Sequence, residues 1–133
     1  MKYASIFFLI IFLYSVVISC KKDQDGVIAG KWSLVNDSVI VGVGPHIGTK
    51  NYIGVAGDYF DFRTDGNVYV KEGAKLDTLS YKIIFAKRIL ISPFGWGGAT
   101  SDITKLTAHN ATIHAPNIIS PGGYDERFVN LTR

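Results

Sequence analysis

The sequence predicts an all-β domain, a small up-and-down antiparallel β-barrel of about eight strands. Most of the chain after residue 26 alternates between apolar and polar residues with a period of two, which indicates half-buried strands. All fourteen glycines lie after Cys20, among many β-branched and aromatic residues. This composition is typical of sheets with many turns. Because the predicted connections are mostly short, the strands form a meander, and closure into a barrel removes its exposed edges.

The first nineteen residues have the layout of a secretory signal peptide. Lys2 supplies a positive charge, and the run from Tyr3 to Ser19 is uncharged and strongly apolar. The alternative is an uncut membrane-spanning helix, which needs about 20 apolar residues. Ser5 and Ser15 interrupt a run that is already slightly short. We therefore predict a signal peptide over residues 1–19.

The only cysteine of the chain stands directly after this run. The sequence Val17-Ile18-Ser19-Cys20 resembles the lipobox of bacterial lipoproteins, in which the cysteine becomes the first mature residue and receives lipid. A single cysteine cannot form an intrachain disulfide, and an exported free thiol needs an explanation, which lipidation supplies. The resemblance implies that Cys20 carries the lipid. We expect anchoring at the outer membrane, on its periplasmic face or at the cell surface.

Residues 20–26 are short and charged and are predicted to be a lipidated tether. Lys22, Asp23 and Asp25 resemble the signal that sends some Gram-negative lipoproteins to the cell surface, and an ordinary solvated linker explains them equally well. The remaining residues, 27–133, suffice for one domain, the predicted barrel. The formal net charge of the whole chain is only +3. Because the charges are scattered, we expect no nucleic-acid partner.

Eight segments of the mature chain carry the strand pattern. In "GKWSLV", for example, Trp32 and Leu34 alternate with Lys31 and Ser33. The predicted strands are 30–35, 58–62, 67–71, 79–83, 88–92, 101–107, 111–115 and 126–132.

Turn signals separate these strands. Asp65-Gly66 is a strong hairpin signal, because glycine tolerates a positive φ. Short connections are predicted at 86–88, 108–110 and 121–123. Residues 42–57 are predicted to form a long glycine-rich loop, and loops of that length are commonly functional.

Several of these segments resemble one family. Gly30-Lys31-Trp32 looks like the Gly-x-Trp opening of lipocalins, "YFDFRTDGNVYV" is similar to a hairpin of bacterial lipocalin-like lipoproteins, and the terminal "VNLTR" suits the same family. The resemblance implies a small barrel on a lipid tether. It also implies that Trp32 closes the barrel floor and that an arginine of the last strand packs on it. Arg127 and Arg133 are both candidates.

An eight-stranded barrel is just wide enough to be filled by side chains or to hold one small ligand. The stretch "SPFGWGG" places Phe94 and Trp96 in a glycine-flanked loop, where aromatic residues often cap a barrel mouth or anchor a ligand. We predict that Phe94, Trp96 and Tyr81 contact a ligand. Alternatively, the two loop aromatics fold down as core. The side chains predicted to fill the interior are Trp32, Phe60, Phe62, Tyr81 and Phe85.

Other binding chemistries find little support in the sequence. The glycines of residues 42–48 are not followed by the helix that a dinucleotide-binding turn must open. The only histidines, His46, His109 and His114, have no cysteine or acidic partner at the spacing of a zinc site. We therefore expect no metal and no cofactor.

Catalysis is not expected either. Asp125 and Glu126 are adjacent, and neighbours on a strand point to opposite faces. Asp58 and Asp61 are the other candidate pair, and nothing resembles a catalytic triad. We expect a monomeric, non-enzymatic lipoprotein that binds a small apolar molecule. The alternative is an interaction or structural protein whose filled barrel presents its loops to a protein or polysaccharide partner.

Overall fold

The protein is an all-β domain in a computed structural model that describes residues 27–43, 45–85, 87–92, 100–116 and 123–133. In these ranges no helix is long and apolar enough to cross a membrane. The described residues form these strands: β1 (Gly30–Val43), β2 (His46–Ile53), β3 (Tyr59–Phe62), β4 (Asn67–Glu72), β5 (Lys75–Phe85), β6 (Arg88–Ser92), β7 (Thr100–Leu106), β8 (Asn110–Ala115) and β9 (Tyr124–Thr132).

Eight of these strands close into an antiparallel up-and-down barrel, which confirms the predicted fold class. β1 pairs with β3, each strand from β3 to β9 pairs with the next, and β9 pairs back to β1. The closing register runs from Ser33 opposite Thr132 to Gly42 opposite Tyr124. We call the end where β1 starts and β9 finishes the closed end, and the end with the β1–β2 and β4–β5 turns the open end.

The prediction of a long loop over residues 42–57 is wrong. β1 continues to Val43, and β2 returns along it in register from His46 to Ile53. Every side chain of β2 except Tyr52 is exposed. Because β2 buries so little, its sequence lacks the alternation of apolar and polar residues that marks the other strands. Backbone hydrogen bonding to β1 holds it instead.

β2 and β3 lie along the same edge of β1, separated by residues 54–58. The Gly54 amide donates to the carbonyl oxygen of Val35 at 2.9 Å, and the Leu34 amide donates to that of Asp58 at 3.1 Å. The backbones approach so closely that a Cβ on Gly54 would lie 2.0 Å from the Leu34 carbonyl oxygen. Only glycine fits at this position without a backbone shift.

Apolar side chains fill the barrel towards its closed end. The largest fully buried ones are Trp32, Phe60, Phe62, Ile89, Ile91, Ile113, Leu131, Val68 and Val129. Three of the five predicted interior aromatics are therefore buried, and Tyr81 packs against this core while remaining partly exposed. The prediction that Phe85 fills the interior is wrong, since 69% of it is exposed. It lies at the tip of the β5–β6 hairpin, where the register shifts between Ile83 and Phe85.

The predicted hairpin turn at Asp65-Gly66 is confirmed. Gly66 has a φ of 83°, which an L side chain rarely adopts. The Arg63 amide donates to the carbonyl of Asn67 at 2.9 Å, and the Asn67 amide donates to Oδ1 of Asp65 at 2.9 Å. The Asp65 side chain thus replaces a backbone acceptor inside the turn.

Candidate functional site

Trp32 plugs the closed end of the barrel. Its side chain is fully buried, and its indole Nε1–H donates to the carbonyl oxygen of Ile28 at 2.7 Å. The guanidinium carbon of Arg133 lies 3.9 Å from the centroid of the Trp32 ring. Of the two arginines that the sequence left open, Arg133 therefore stacks on Trp32, while Arg127 lies towards the open end of β9.

Tyr81 also lies near the closed end. Its ring meets Phe62 edge to face, with centroids 5.2 Å apart, and its hydroxyl donates to the carbonyl oxygen of Arg63 at 2.8 Å. It does not line the cleft described below. The predicted contact of Tyr81 with a ligand stays a prediction.

Charged side chains point inward at the open end, and for Asp37 the cause is an irregularity of β1. Its register with β9 shifts between Leu34 and Asn36. The shift moves Asp37 onto the inner face, where it is opposite Val129. Val39 lies on the same face, opposite Arg127. The Asp37 carboxylate thereby meets the guanidinium of Arg127, which the regular phase of β9 already turns inward, directly above the apolar core.

Asp37 and Arg127 form a bidentate ion pair in this mouth. Nε of Arg127 donates to both carboxylate oxygens of Asp37, at 2.9 and 3.0 Å, and Nη2 also donates to Oδ2. Nη2 lies 3.4 Å from Oε1 of Glu72 at the end of β4. The side chains of Asp37, Glu72 and Arg127 are 4%, 19% and 21% exposed. Because such a pair is largely desolvated, its geometry is strongly constrained.

Burial and neighbouring charges perturb the pKa values of three groups at this end. Burial, a hydrogen bond to Asp37 and the charge of Asp37 raise the pKa of Glu72 to about 7. Burial opposes the charge on Arg127, but its hydrogen bonds to Asp37 and the nearby carboxylates outweigh burial and raise its pKa. Burial also raises the pKa of Asp125, the neighbouring inward-facing carboxyl on β9.

Glu72 should make the domain less stable as the pH rises from about 4.5 to 7. A carboxyl whose pKa is raised on folding binds its proton more tightly in the folded state, so stability is lost between the unfolded and folded pKa values. We expect Glu72→Gln to be close to wild type at pH 5 and more stable than wild type at pH 8. Urea unfolding at both pH values measures this. A Glu72→Gln variant with the same pH dependence as wild type would contradict the assignment.

A cleft of about 310 Å³ opens beside this ion pair. β2 forms one wall of it and the end of β4 forms another. Its lining residues are Asp37, Val39, Lys50, Asn51, Tyr52, Glu72 and Arg127. The cleft therefore offers both charged groups and a tyrosine ring to a small molecule.

Asp58 fixes the two walls of the cleft relative to each other. Its Oδ2 accepts hydrogen bonds from the Tyr52 hydroxyl at 2.6 Å and the Val55 amide at 2.9 Å, and its Oδ1 accepts from the Gly73 amide at 2.8 Å. These bonds lower the pKa of Asp58, and the bond to Asp58 raises the pKa of Tyr52 to about 12. A single buried carboxylate thus joins β2 to the β4–β5 turn.

The carboxylate pairs considered for catalysis diverge in space. Asp58 is buried, whereas Asp61 makes an ion pair with Arg63 at 3.1 Å on the outer face. Asp125 is opposite the inward-facing Val41, and Glu126 points to the outer face of the sheet. In neither pair do the two carboxylates converge on a common site.

Glu126 instead meets His114, a partnership that sequence spacing did not show. Nε2 of His114 lies 2.5 Å from Oε1 of Glu126, and its ring stacks on Phe128 at 4.3 Å. The contact crosses between β8 and β9, so only the strand register shows it. In the part of the chain that the structure describes, no three His, Cys, Asp or Glu side chains are grouped for a metal ion.

Three predicted site residues, Cys20, Phe94 and Trp96, lie outside the described residues, and their roles stay predictions. Residues of the cleft were missed by the sequence analysis, although part of the signal was present. Arg127 is in phase with the buried Val129 and Leu131, as Glu72 is with Val68 and Val70 of β4. An in-phase charge on a strand marks a polar group that points inward.

Comparison of the chain with models of known protein families, with curated proteins and with solved structures gave no match.

Proposed function

We propose that this protein is a lipid-anchored, lipocalin-like barrel of the cell envelope that binds a small ligand at its open end. The observation that carries the proposal is the 310 Å³ cleft beside the Asp37–Arg127 pair, in a barrel whose other end is plugged by Trp32. A concave site with a few convergent polar groups is the common form of a small-molecule site. The carboxylate pairs that the sequence suggested for catalysis diverge, and the two carboxylates that do converge are engaged by Arg127. We therefore propose binding rather than catalysis.

The proposed anchor rests on the leader and on the single cysteine. The apolar run up to Ser19 and the lipobox-like sequence ending at Cys20 support removal of residues 1–19 and acylation of Cys20. The outer membrane is the proposed location. A tether of residues 20–26 would then join the lipid to Val27, next to the start of β1.

The lining of the cleft narrows the chemistry of the ligand. Its volume is at the lower end of ordinary ligand sites, which span about 300–1,000 Å³. Lys50 and Asn51 offer donors to a polar group, while Val39 and the Tyr52 ring offer apolar surface. We therefore refine the expected apolar molecule to a small amphipathic one, with an apolar body and one polar or anionic group.

Val39→Phe should fill the cleft and weaken ligand binding, since Val39 lines it. We expect at least about a tenfold loss of affinity, equivalent to about 1.4 kcal/mol, for a fluorescent fatty-acid analogue added below its micelle concentration. An uncharged aromatic probe tests the need for the polar group. Ile40→Phe, next along β1 and on its opposite face, is the matched control and should bind as wild type does.

Two outcomes would count against the binding proposal. One is a flat titration of the wild-type protein with every probe. The other is equal loss of affinity in Val39→Phe and Ile40→Phe, which would indicate a general disturbance of β1. Urea unfolding of both variants controls for stability.

The second candidate function is interaction with a protein or polysaccharide, and β2 favours it. Ile47 and Ile53 are 59% and 63% exposed, and in the described part of the sheet β2 pairs with β1 alone. A strand with an open edge can pair with another chain. A photo-crosslinker at Thr49 that captures one defined partner, together with flat ligand titrations, would favour this function.

A further inference from the structure

The β5–β6 hairpin exposes a run of large apolar side chains at the closed end of the barrel. Ile83, Ile84 and Phe85 are 40%, 38% and 69% exposed. β5 pairs with β4 only as far as Ser80, so the rest of β5 continues as a hairpin with β6. Contiguous exposed apolar patches commonly mark a surface that contacts another molecule or a membrane.

Basic residues flank this apolar tip on both sides. Lys82, Lys87 and Arg88 are all exposed, and residues 82–92 contain no Asp or Glu. Arg88 pairs with Asp102 on β7 at 3.3 Å, and both side chains are about half exposed. An exposed ion pair of this kind is weak and leaves Arg88 able to exchange partners. Apolar side chains flanked by basic residues suit an anionic lipid surface. The apolar groups enter the interface, and the basic groups contact the lipid phosphates.

The hairpin lies at the end of the barrel to which the proposed lipid anchor would be joined. Its tip is at the same end of the barrel as Val27, where the described chain begins. The seven residues from 20 to 26 can span at most about 25 Å when fully extended. The closed end would therefore be held near the bilayer, whereas the inward carboxylates Asp37, Glu72 and Asp125 lie at the open end.

We propose that the β5–β6 hairpin is a membrane-contacting tip that docks the closed end of the barrel on an anionic phospholipid surface. Phe85 and Ile84 enter the interface between headgroups and acyl chains, while Lys82 and Lys87 extend their ammonium groups to lipid phosphates. This orientation turns the ligand cleft away from the membrane that carries the anchor. The inference rests on the proposed lipid anchor for the nearness of the bilayer.

The test uses the full-length protein, purified from membranes and reconstituted into vesicles. An environment-sensitive fluorophore is attached to Phe85→Cys, or to Val43→Cys as the control. Val43 is a matched control because it is 67% exposed and apolar, yet lies at the open end. Vesicles consist of phosphatidylcholine alone or with phosphatidylglycerol, and brominated acyl chains quench a fluorophore that enters the bilayer.

We expect several-fold stronger quenching by brominated lipid at position 85 than at position 43 in the anionic vesicles. Lys82→Glu combined with Lys87→Glu should reduce that quenching, because each basic residue near an anionic surface strengthens binding about fivefold. Equal quenching at the two positions would overturn the proposal. A fluorescence change at position 85 that depends on protein concentration and not on lipid would also overturn the proposal. It would indicate that the hairpin contacts another protein molecule.

Intact-mass analysis of the same purified protein tests the anchor separately. A mature chain that starts at Cys20 with added acyl mass supports the anchor, and Cys20→Ala should abolish both changes. A chain that still starts at Met1 would refute the lipid anchor. In that chain the fluorophore is attached in a Cys20→Ala background, so that position 85 carries the only thiol. The reporter would still respond to lipid if the hairpin docks, because the uncut apolar run also attaches the chain to vesicles. The two failures are therefore distinguishable.

Discussion

Trp32→Ala should lower the free energy of unfolding by about 3–5 kcal/mol, the usual range for truncating a buried tryptophan. Trp32 is fully buried and makes three kinds of contact that alanine cannot replace. It packs against Phe60 across the β1–β3 ladder, donates to Ile28 and supports the stacked guanidinium of Arg133. Truncation removes all three and leaves a cavity at the barrel floor.

Urea unfolding followed by circular dichroism measures this loss. Phe85→Ala is the matched control, because it removes an aromatic ring that is mostly exposed and should change stability by less than about 0.5 kcal/mol. Trp32→Phe should fall between the two, since it keeps most of the packing but loses the hydrogen bond to Ile28. A Trp32→Ala variant as stable as Phe85→Ala would show that Trp32 does not close the floor.

The strands that could be predicted from sequence are those that bury one face. Alternation identified the barrel strands because Val68 and Val70, or Ile89 and Ile91, face a core while their neighbours face solvent. β2 has almost no buried face and so leaves no such pattern. Alternation of apolar and polar residues indicates that one face of a strand is buried. It does not indicate a strand that is held only by backbone hydrogen bonds. For this reason a strand was predicted to be a loop.

The arginine on Trp32 could not be chosen from the pattern of the last strand. Arg127 and Arg133 are six positions apart, so the alternation of β9, continued past its end at Thr132, places both in phase with the buried Val129 and Leu131. The register decides between them, because antiparallel pairing places Thr132 opposite Ser33. This pairing places the end of β9 beside Trp32 at the closed end, and it places Arg127 at the open end. Knowing that the first and last strands pair was the missing information.

The candidate cleft depended on two features that alternation cannot show. The register shift between Leu34 and Asn36 turns Asp37 inward, against the phase that Trp32 and Leu34 set. The second feature is the wall built by β2, whose sequence carries no strand alternation. Both arise from long-range pairing, and so the polar mouth of the barrel was visible only in the folded chain.

Asp37→Ala should be the most destabilising change at the open end, by about 3–5 kcal/mol. It would leave the Arg127 guanidinium largely buried without its bidentate acceptor. Glu72, 3.4 Å from Nη2, retains one carboxylate nearby, so we expect the lower part of that range. Asp37→Asn keeps the shape but loses the charge, and should be intermediate. A loss below about 1 kcal/mol in Asp37→Ala would mean that water or Glu72 replaces the pair fully.

The paired replacement Asp37→Leu with Arg127→Met separates the cost of an orphaned charge from the net contribution of the pair. Removing both partners of a buried ion pair in favour of apolar side chains is often neutral or stabilising. We therefore expect the double variant to unfold within about 1 kcal/mol of wild type, whereas each single variant is much less stable. If the loss in free energy of unfolding of the double variant instead equals the sum of the two single losses, each residue contributes through other neighbours. A stable double variant that no longer binds the fatty-acid probe would assign the pair to ligand recognition rather than to stability.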